Sequence, residues 1–372
     1  LWAVKLNMLF MVISIVIGIL LIKKKKRGIF MDKIKLGKTG LMVTASSFGA
    51  LPVQRVGMDE AKRLLRMAYD GGINYFDTAN AYTDSEEKLG EALHDVRAQV
   101  VISTKSGGKD KKTVREHIEL SLRRMQTDYI DLFQFHNPAE LPDPEDPDGP
   151  YAAALEAKEK GYIRHIGITN HRLGVAQAAI ASGNFETLQF PFCYLCTEKD
   201  LQLLRACEAA DMGFIAMKGL SGGMLSNAAA CYAFMQQHPN VVPIWGIQHE
   251  WELDQWLALA EKAPRMTPEL QAVIDHDRQE LAGNFCRSCG YCLPCAAGID
   301  IPQAARMSAL LRRSPYQKYM SDEWYAKMHK VEECIHCNAC KSRCPYGLDT
   351  PALLQLMLKD YDEFYAVHYN DK

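Results

Sequence analysis

Eight of the twelve cysteines fall between Cys286 and Cys344, in two runs with the spacing of metal ligands. Cys286, Cys289, Cys292 and Cys295 are each separated by two residues, and Cys334, Cys337, Cys340 and Cys344 follow C-x2-C-x2-C-x3-C with Pro345 next. The second spacing lets thiolates on a tight loop reach three corners of a 4Fe-4S cube. Paired C-x2-C elements also build tetrahedral zinc sites, but the triple spacing and the Cys-Pro step fit the cube better. A second group of candidates lies earlier, at Asp77, Tyr82, Lys105 and His136. Reducing a carbonyl needs a proton donor for the developing alkoxide. A tyrosine, with an ordinary pKa of about 10, serves that purpose when a neighbouring cation eases its ionisation. Lys105 carries such a charge, Asp77 can hold the lysine in place, and His136 can orient the substrate oxygen by hydrogen bonding. Taken singly, the Asp reads as a turn former, the Tyr as packing and the Lys as a solvated side chain; the four types together carry the reading.

The elements that must position these residues alternate in type. A short hairpin is expected over Ile34–Val43 around Gly37-Lys38-Thr39-Gly40. Apolar runs follow at Val43–Phe48, Ile73–Phe76, Val100–Thr104, Ile130–Phe135, Ile163–Ile168, Thr187–Phe190, Gly213–Met217 and Val241–Ile247. Helical periodicity between them marks Asp59–Asp70, Ser85–His94, Val114–Arg124, Ala152–Lys160, Gly174–Ser182, Lys199–Ala210 and Ala228–Gln237. Eight strands with crossovers fit an α/β fold of the (β/α)8 TIM-barrel kind; an open doubly wound sheet competes, but no G-x-G-x-x-G follows the first strand. In a barrel the residues just after each strand carry the chemistry, and Asp77, Tyr82, Lys105 and His136 end three consecutive runs.

At these positions the sequence resembles the aldo/keto reductases, whose Asp-Tyr-Lys-His tetrad maps onto Asp77, Tyr82, Lys105 and His136. The resemblance covers roughly Lys33–Ala260 and is most specific at Phe76-Asp77-Thr78-Ala79 and at GYIRHIGITN, Gly161–Asn170. It implies NAD(P)H lying across the barrel mouth. Asn170 and Gln189 would contact the carboxamide, Met217 would stack on the nicotinamide with Lys218 beside it, and the loop from Gly219 to Gly223 would approach the pyrophosphate. Gly246–Trp256 lacks the Arg or Lys that a 2′-phosphate would want, which leaves NADP against NAD open.

The cysteine-rich flanks repeat: Cys295-Ala-Ala-Gly298-Ile-Asp300-Ile-Pro302 parallels Cys344-Pro-Tyr-Gly347-Leu-Asp349-Thr-Pro351. This duplication resembles a helical dicluster ferredoxin domain. The resemblance assigns one 4Fe-4S cluster to Cys286, Cys289, Cys292 and Cys344, and the other to Cys334, Cys337, Cys340 and Cys295. The first run lacks the three-residue gap and the proline, so a single cluster beside a degenerate motif stays open. Cys193 and Cys196 form another C-x-x-C, a weak redox candidate read mainly as small loop residues, and Cys207 and Cys231 read as packing.

Composition narrows the rest. Over 372 residues, Lys+Arg 43 against Asp+Glu 45 gives no basic excess for nucleic acid, and 48% hydrophobic residues exclude a largely disordered chain. Met8–Ile22 is uncharged and precedes Lys23–Arg27. The first thirty residues are expected to be translated upstream sequence, with a membrane anchor leaving the remainder facing the cytoplasm as the alternative. The expected division is 1–30 as this segment, 31–264 as barrel and 265–372 as a helical 4Fe-4S domain. The reading is a cytoplasmic oxidoreductase acting on a small-molecule carbonyl or alcohol, with a redox protein as a further partner. The alternative is a redox-responsive cofactor-binding or electron-transfer subunit with little turnover.

Overall fold

The computed structural model describes residues 31–281, 285–313 and 316–369, so the segment 1–30 lies outside the described residues. Among the described residues, no helix is long and apolar enough to cross a membrane. The chain opens on an antiparallel pair, β1 (Lys33–Lys35) and β2 (Met42–Thr44), with Ile34 opposite Val43. Gly37 has φ +51° in the connecting turn, and a Cβ there would lie 2.3 Å from the Gly213 nitrogen. Only glycine lets the hairpin press so closely against the base of the barrel.

Eight parallel strands then close on themselves: β3 (Ser47–Gly49), β4 (Tyr75–Asp77), β5 (Val101–Ser106), β6 (Ile130–His136), β7 (Ile163–Thr169), β8 (Thr187–Pro191), β9 (Gly213–Met217) and β10 (Val241–Gly246), with β10 pairing both β9 and β3. The expected run Val43–Phe48 is therefore two strands. The Asn74 carboxamide oxygen accepts from the Thr44 nitrogen at 2.7 Å and the Ser47 hydroxyl donates to the Thr44 carbonyl at 2.7 Å, turning the chain from floor hairpin into barrel wall. Leu36, Val43, Tyr75, Leu132, Ile215, Val242 and Ile244 fill the barrel interior near that floor.

Outer helices follow the strands; some bury a single stripe, whereas Ala228–Met235 is buried almost all round. In α1 (Met58–Asp70) the buried positions are Ala61, Leu64, Leu65 and Ala68, the spacing of one helical face. Glu250–Glu261, outside the seven expected helices, is α8, and its Trp256 stacks on Trp245 at 4.0 Å. The next helix is α9 (Pro268–Glu280), at the start of the expected cluster domain. It packs on the barrel: Ile274 joins the main core, and the Tyr194 hydroxyl donates to Asp277.

A second core of Ile301, Met307, Leu311, Tyr319, Met320, Leu354 and Tyr361 lies beyond α9, and Met224 from the loop after β9 joins it. Its two cysteine segments repeat in backbone as in sequence. Ser288 and Gly290 flank Cys289 with positive φ, as His336 and Asn338 flank Cys337. Gly298 and Gly347 match likewise, and Asp300 and Asp349 cap the helices that follow, each with proline in the first turn.

Candidate active site and cysteine cradle

Asp77 at the end of β4 and Lys105 in β5 lie side by side because the two strands pair in register, Asp77 against Ser103. The Lys105 ammonium donates to Asp77 Oδ2 at 2.6 Å and to the Thr78 carbonyl at 2.5 Å. Two residues not singled out from the sequence complete the arrangement. The Ser103 hydroxyl donates to Asp77 Oδ1 at 2.6 Å, and Gln134 Nε2 donates to the same oxygen at 3.3 Å and to Gln189 Oε1 at 2.9 Å. Both precede a tetrad residue by two, Ser103 before Lys105 and Gln134 before His136, so strand alternation places them on the inward face.

Tyr82 follows β4 and meets His136, at the end of β6, edge to face at 5.8 Å, while the Lys105 nitrogen lies 5.4 Å from the Tyr82 ring centre. The four expected catalytic residues thus share one mouth. Burial, then the Asp77 charge and Tyr291, raise the Tyr82 pKa above its ordinary value, which keeps its proton on. Burial also pulls the Lys105 pKa down, opposed by Asp77. His136 falls to about 4 through burial and then the Lys105 charge, so its imidazole is neutral at ordinary pH.

The residues expected to hold a dinucleotide lie on the same rim. Asn170 Nδ2 donates to the Pro138 carbonyl at 2.9 Å, while Gln189 belongs to the Asp77 network. Met217 ends β9, and Lys218, Ser221, Gly222 and Gly223 all have positive φ. Within this turn the Ser221 and Gly223 amides donate to the Lys218 and Leu220 carbonyls at 2.8 and 3.0 Å, so it is Lys218 that supplies the positive charge a pyrophosphate would want. Gly219 has a packing role as well, since a Cβ there would lie 2.5 Å from the Trp245 ring.

The cysteine-rich region sits on this rim. Lys218 Nζ donates to the Ser288 carbonyl at 3.3 Å, Arg306 donates to the Gly222 carbonyl at 3.0 Å, and Arg313 donates to the Met224 carbonyl at 3.1 Å. His171 meets Tyr346 through Nδ1 at 3.1 Å and the Tyr291 ring at 5.0 Å. Cys286, Cys289, Cys292 and Cys344 line one cavity with Pro345 and Tyr346. Cys340 lies within electrostatic range of Cys334 and Cys295, and Cys337 is exposed. Among the described residues, no three Cys, His, Asp or Glu side chains converge closely enough to hold a metal ion. Burial pushes the Cys292 thiol up to about 12, so ligation would release its proton. Cys193 and Cys196 span a turn in which the Cys196 nitrogen donates to the Cys193 carbonyl at 2.8 Å, and burial raises their thiols to about 11 and about 12.

Comparisons with known proteins agree with both halves. The sequence model of the aldo/keto reductase family matches residues 41–272, and that of a 4Fe-4S dicluster domain matches 285–349. An uncharacterized oxidoreductase of Bacillus subtilis is 28% identical over 210 residues, 53% of this chain and 67% of that protein. The L-galactose dehydrogenase of Arabidopsis thaliana is 32% identical over 220 residues, 53% of this chain and 68% of its own. A probable voltage-gated potassium channel subunit beta of the same plant is 38% identical over 119 residues, 28% of this chain and 36% of its own. The chain therefore spans about a third to two thirds of the length of these relatives. Among solved structures, an aldo-keto reductase from Bacillus halodurans in holo form superposes with TM-score 0.57 at 23% identity, covering 66% of this chain and 96% of that one. The aldo/keto reductase from Klebsiella pneumoniae in complex with NADP and acetate gives TM-score 0.57 at 23% identity, covering 66% and 95%.

The His136 shift has a consequence for pH. The unfolded imidazole takes its proton near 6.5 and the folded one near 4, so His136 destabilises the fold progressively as pH falls from about 6.5 to 4 and not above. NMR titration of the His136 imidazole is expected to show a midpoint near 4; a midpoint near 6.5 would contradict the buried neutral ring.

Proposed function

Because the chain belongs to the aldo/keto reductase family, we propose that it is an oxidoreductase that uses NAD(P)H to reduce a small aldehyde or ketone to an alcohol at the barrel mouth. One observation carries the reading: Tyr82, His136 and the Asp77–Lys105 pair gather at a single opening. Asn170, Gln189, Met217, Lys218 and Gly219 would hold the dinucleotide. When bound, the reduced nicotinamide supplies a hydride. Tyr82 gives its proton to the developing alkoxide. Lys105, kept in place by Asp77, offsets the charge left on the tyrosine. Neutral His136 donates a ring N–H to the substrate oxygen and fixes its position.

The expected division at residue 265 belongs to this reading, with 31–264 as the barrel and 265–372 as the cluster region, whose first helix, α9, lies against the barrel core. Cys286, Cys289, Cys292 and Cys344 would hold one 4Fe-4S cluster near the mouth, and Cys295, Cys334, Cys337 and Cys340 a second, distal one. The clusters supply one-electron storage. A redox protein would meet the distal set, where Cys337 and Ile335 are exposed. The setting is cytoplasmic, in keeping with free cysteines throughout. The alternative, a redox-responsive binding subunit with little turnover, draws on the cover that Ser288 and Arg306 lay over Lys218–Gly223.

NADPH oxidation against a panel of aldehydes and ketones tests the choice. Tyr82→Phe is expected to lower kcat by about 10²- to 10⁴-fold while leaving the NADP+ Kd unchanged. Equal turnover in the variant removes Tyr82 from the chemistry, and tight NADP+ binding without wild-type turnover favours the alternative. Iron and sulfide analysis of anaerobically purified protein is expected to give about eight of each per chain. About four would leave one motif empty, and zinc alone would overturn the cluster assignment.

A further inference from the structure

Arg172 directly follows the His171 that the cysteine-rich region clamps, and it is the residue from which the helix Leu173–Ser182 starts. Its guanidinium lies 5.3 Å from the centre of the Tyr291 ring, and its Nη1 is buried without a hydrogen-bond partner. Among the described residues, no other arginine has a buried nitrogen so placed. The other cations around the mouth are engaged. Lys218 donates to the Ser288 carbonyl, Arg287 to the Leu195 carbonyl, and Arg306 to the Pro302 and Gly222 carbonyls and to Gln303. Among the described residues, no carboxylate forms an ion pair with Arg172.

A buried guanidinium nitrogen left without an acceptor is costly, and an incoming anion that takes it is correspondingly favoured. Tyr291 ties this nitrogen to the chemistry. It projects from the loop between Cys289 and Cys292, carries Arg172 on its ring, packs on His171 and lies close enough to Tyr82 to help raise its pKa. A substrate whose carbonyl rests at Tyr82 and His136 would therefore pass along Tyr291 toward Arg172.

We propose that Arg172, with Tyr291 as its platform, forms a subsite for an anionic group, a carboxylate in the first instance, carried by the carbonyl substrate. The subsite deepens the carbonyl-reducing reading above and rests on it. The platform comes from the cysteine-rich region and the arginine from the barrel, so neither half contains the subsite alone. Arg172 selects the substrate; it takes no part in the proton transfer.

Two sources of anion are distinguishable, the substrate and the phosphates of the dinucleotide. Benzoate serves as the probe, with binding to the iron-loaded protein followed by calorimetry, a readout that needs no turnover. Arg172→Met keeps an apolar stem against Tyr291 and is expected to weaken benzoate about ten- to a hundred-fold, with the NADP+ Kd unchanged. Arg172→Lys is expected to recover part of the loss. In turnover, Arg172→Met is expected to lower kcat/KM for 4-carboxybenzaldehyde at least about ten-fold more than for 4-methylbenzaldehyde. Benzoate affinity equal in wild type and Arg172→Met overturns the subsite, as does a loss confined to NADP+, which would assign Arg172 to the dinucleotide. Wild-type protein that binds benzoate through Arg172 yet reduces neither aldehyde would sink the reductase reading while leaving the anion site standing. Should Arg172→Met fail to fold, Tyr291→Leu carries the same benzoate test, with the same loss expected and an unchanged affinity contradicting it.

Discussion

Asp77 and Lys105 form an ion pair at 2.6 Å with both side chains almost wholly withdrawn from water. Two charges so buried are tolerated only when their remaining hydrogen-bonding capacity is filled. Here it is: Ser103 and Gln134 serve one carboxylate oxygen, Lys105 and Gln189 approach the other, and the ammonium also reaches the Thr78 carbonyl. These groups come from β4, β5, β6 and β8, so the pair exists only because a closed parallel barrel brings four strands to one axis. The same closure places Tyr82 and His136 over the pair, one kept protonated and the other neutral by burial. A site of this kind is organised before any ligand arrives.

The cysteine-rich region adds what the barrel lacks. Its core takes in Met224 from the loop after β9, its arginines hold the carbonyls of Gly222 and Met224, and Tyr291 and Tyr346 from the two cysteine segments reach His171. The contacts concentrate on the rim beside Asp77, Tyr82, Lys105 and His136. The cysteine loops thus touch the rim directly, at Lys218 through the Ser288 carbonyl and at His171 and Arg172 through Tyr291.

Much of this was legible in the sequence because it depends on local spacing. Strand-end positions gave Asp77, Lys105 and His136, and the duplicated cysteine flanks returned as duplicated left-handed residues and capped helices. What escaped depends on register and docking. Ser103 and Gln134 carry only the signal of inward parity, which many strand residues share. The break at Thr44 arises from a bond to Asn74, thirty residues away. Arg172 and Tyr291 are unremarkable in their own segments and gain meaning only when the two regions meet.

The central claim is that a nicotinamide and the tetrad together reduce a carbonyl at this mouth. The most direct measurement uses NADPH deuterated at the transferring C4 position, with mass analysis of the alcohol formed in ordinary water. One deuterium on the carbinol carbon is the expected result. An alcohol whose new carbon-bound hydrogen comes from solvent would contradict the account and move the source of electrons to the cysteine-bound clusters.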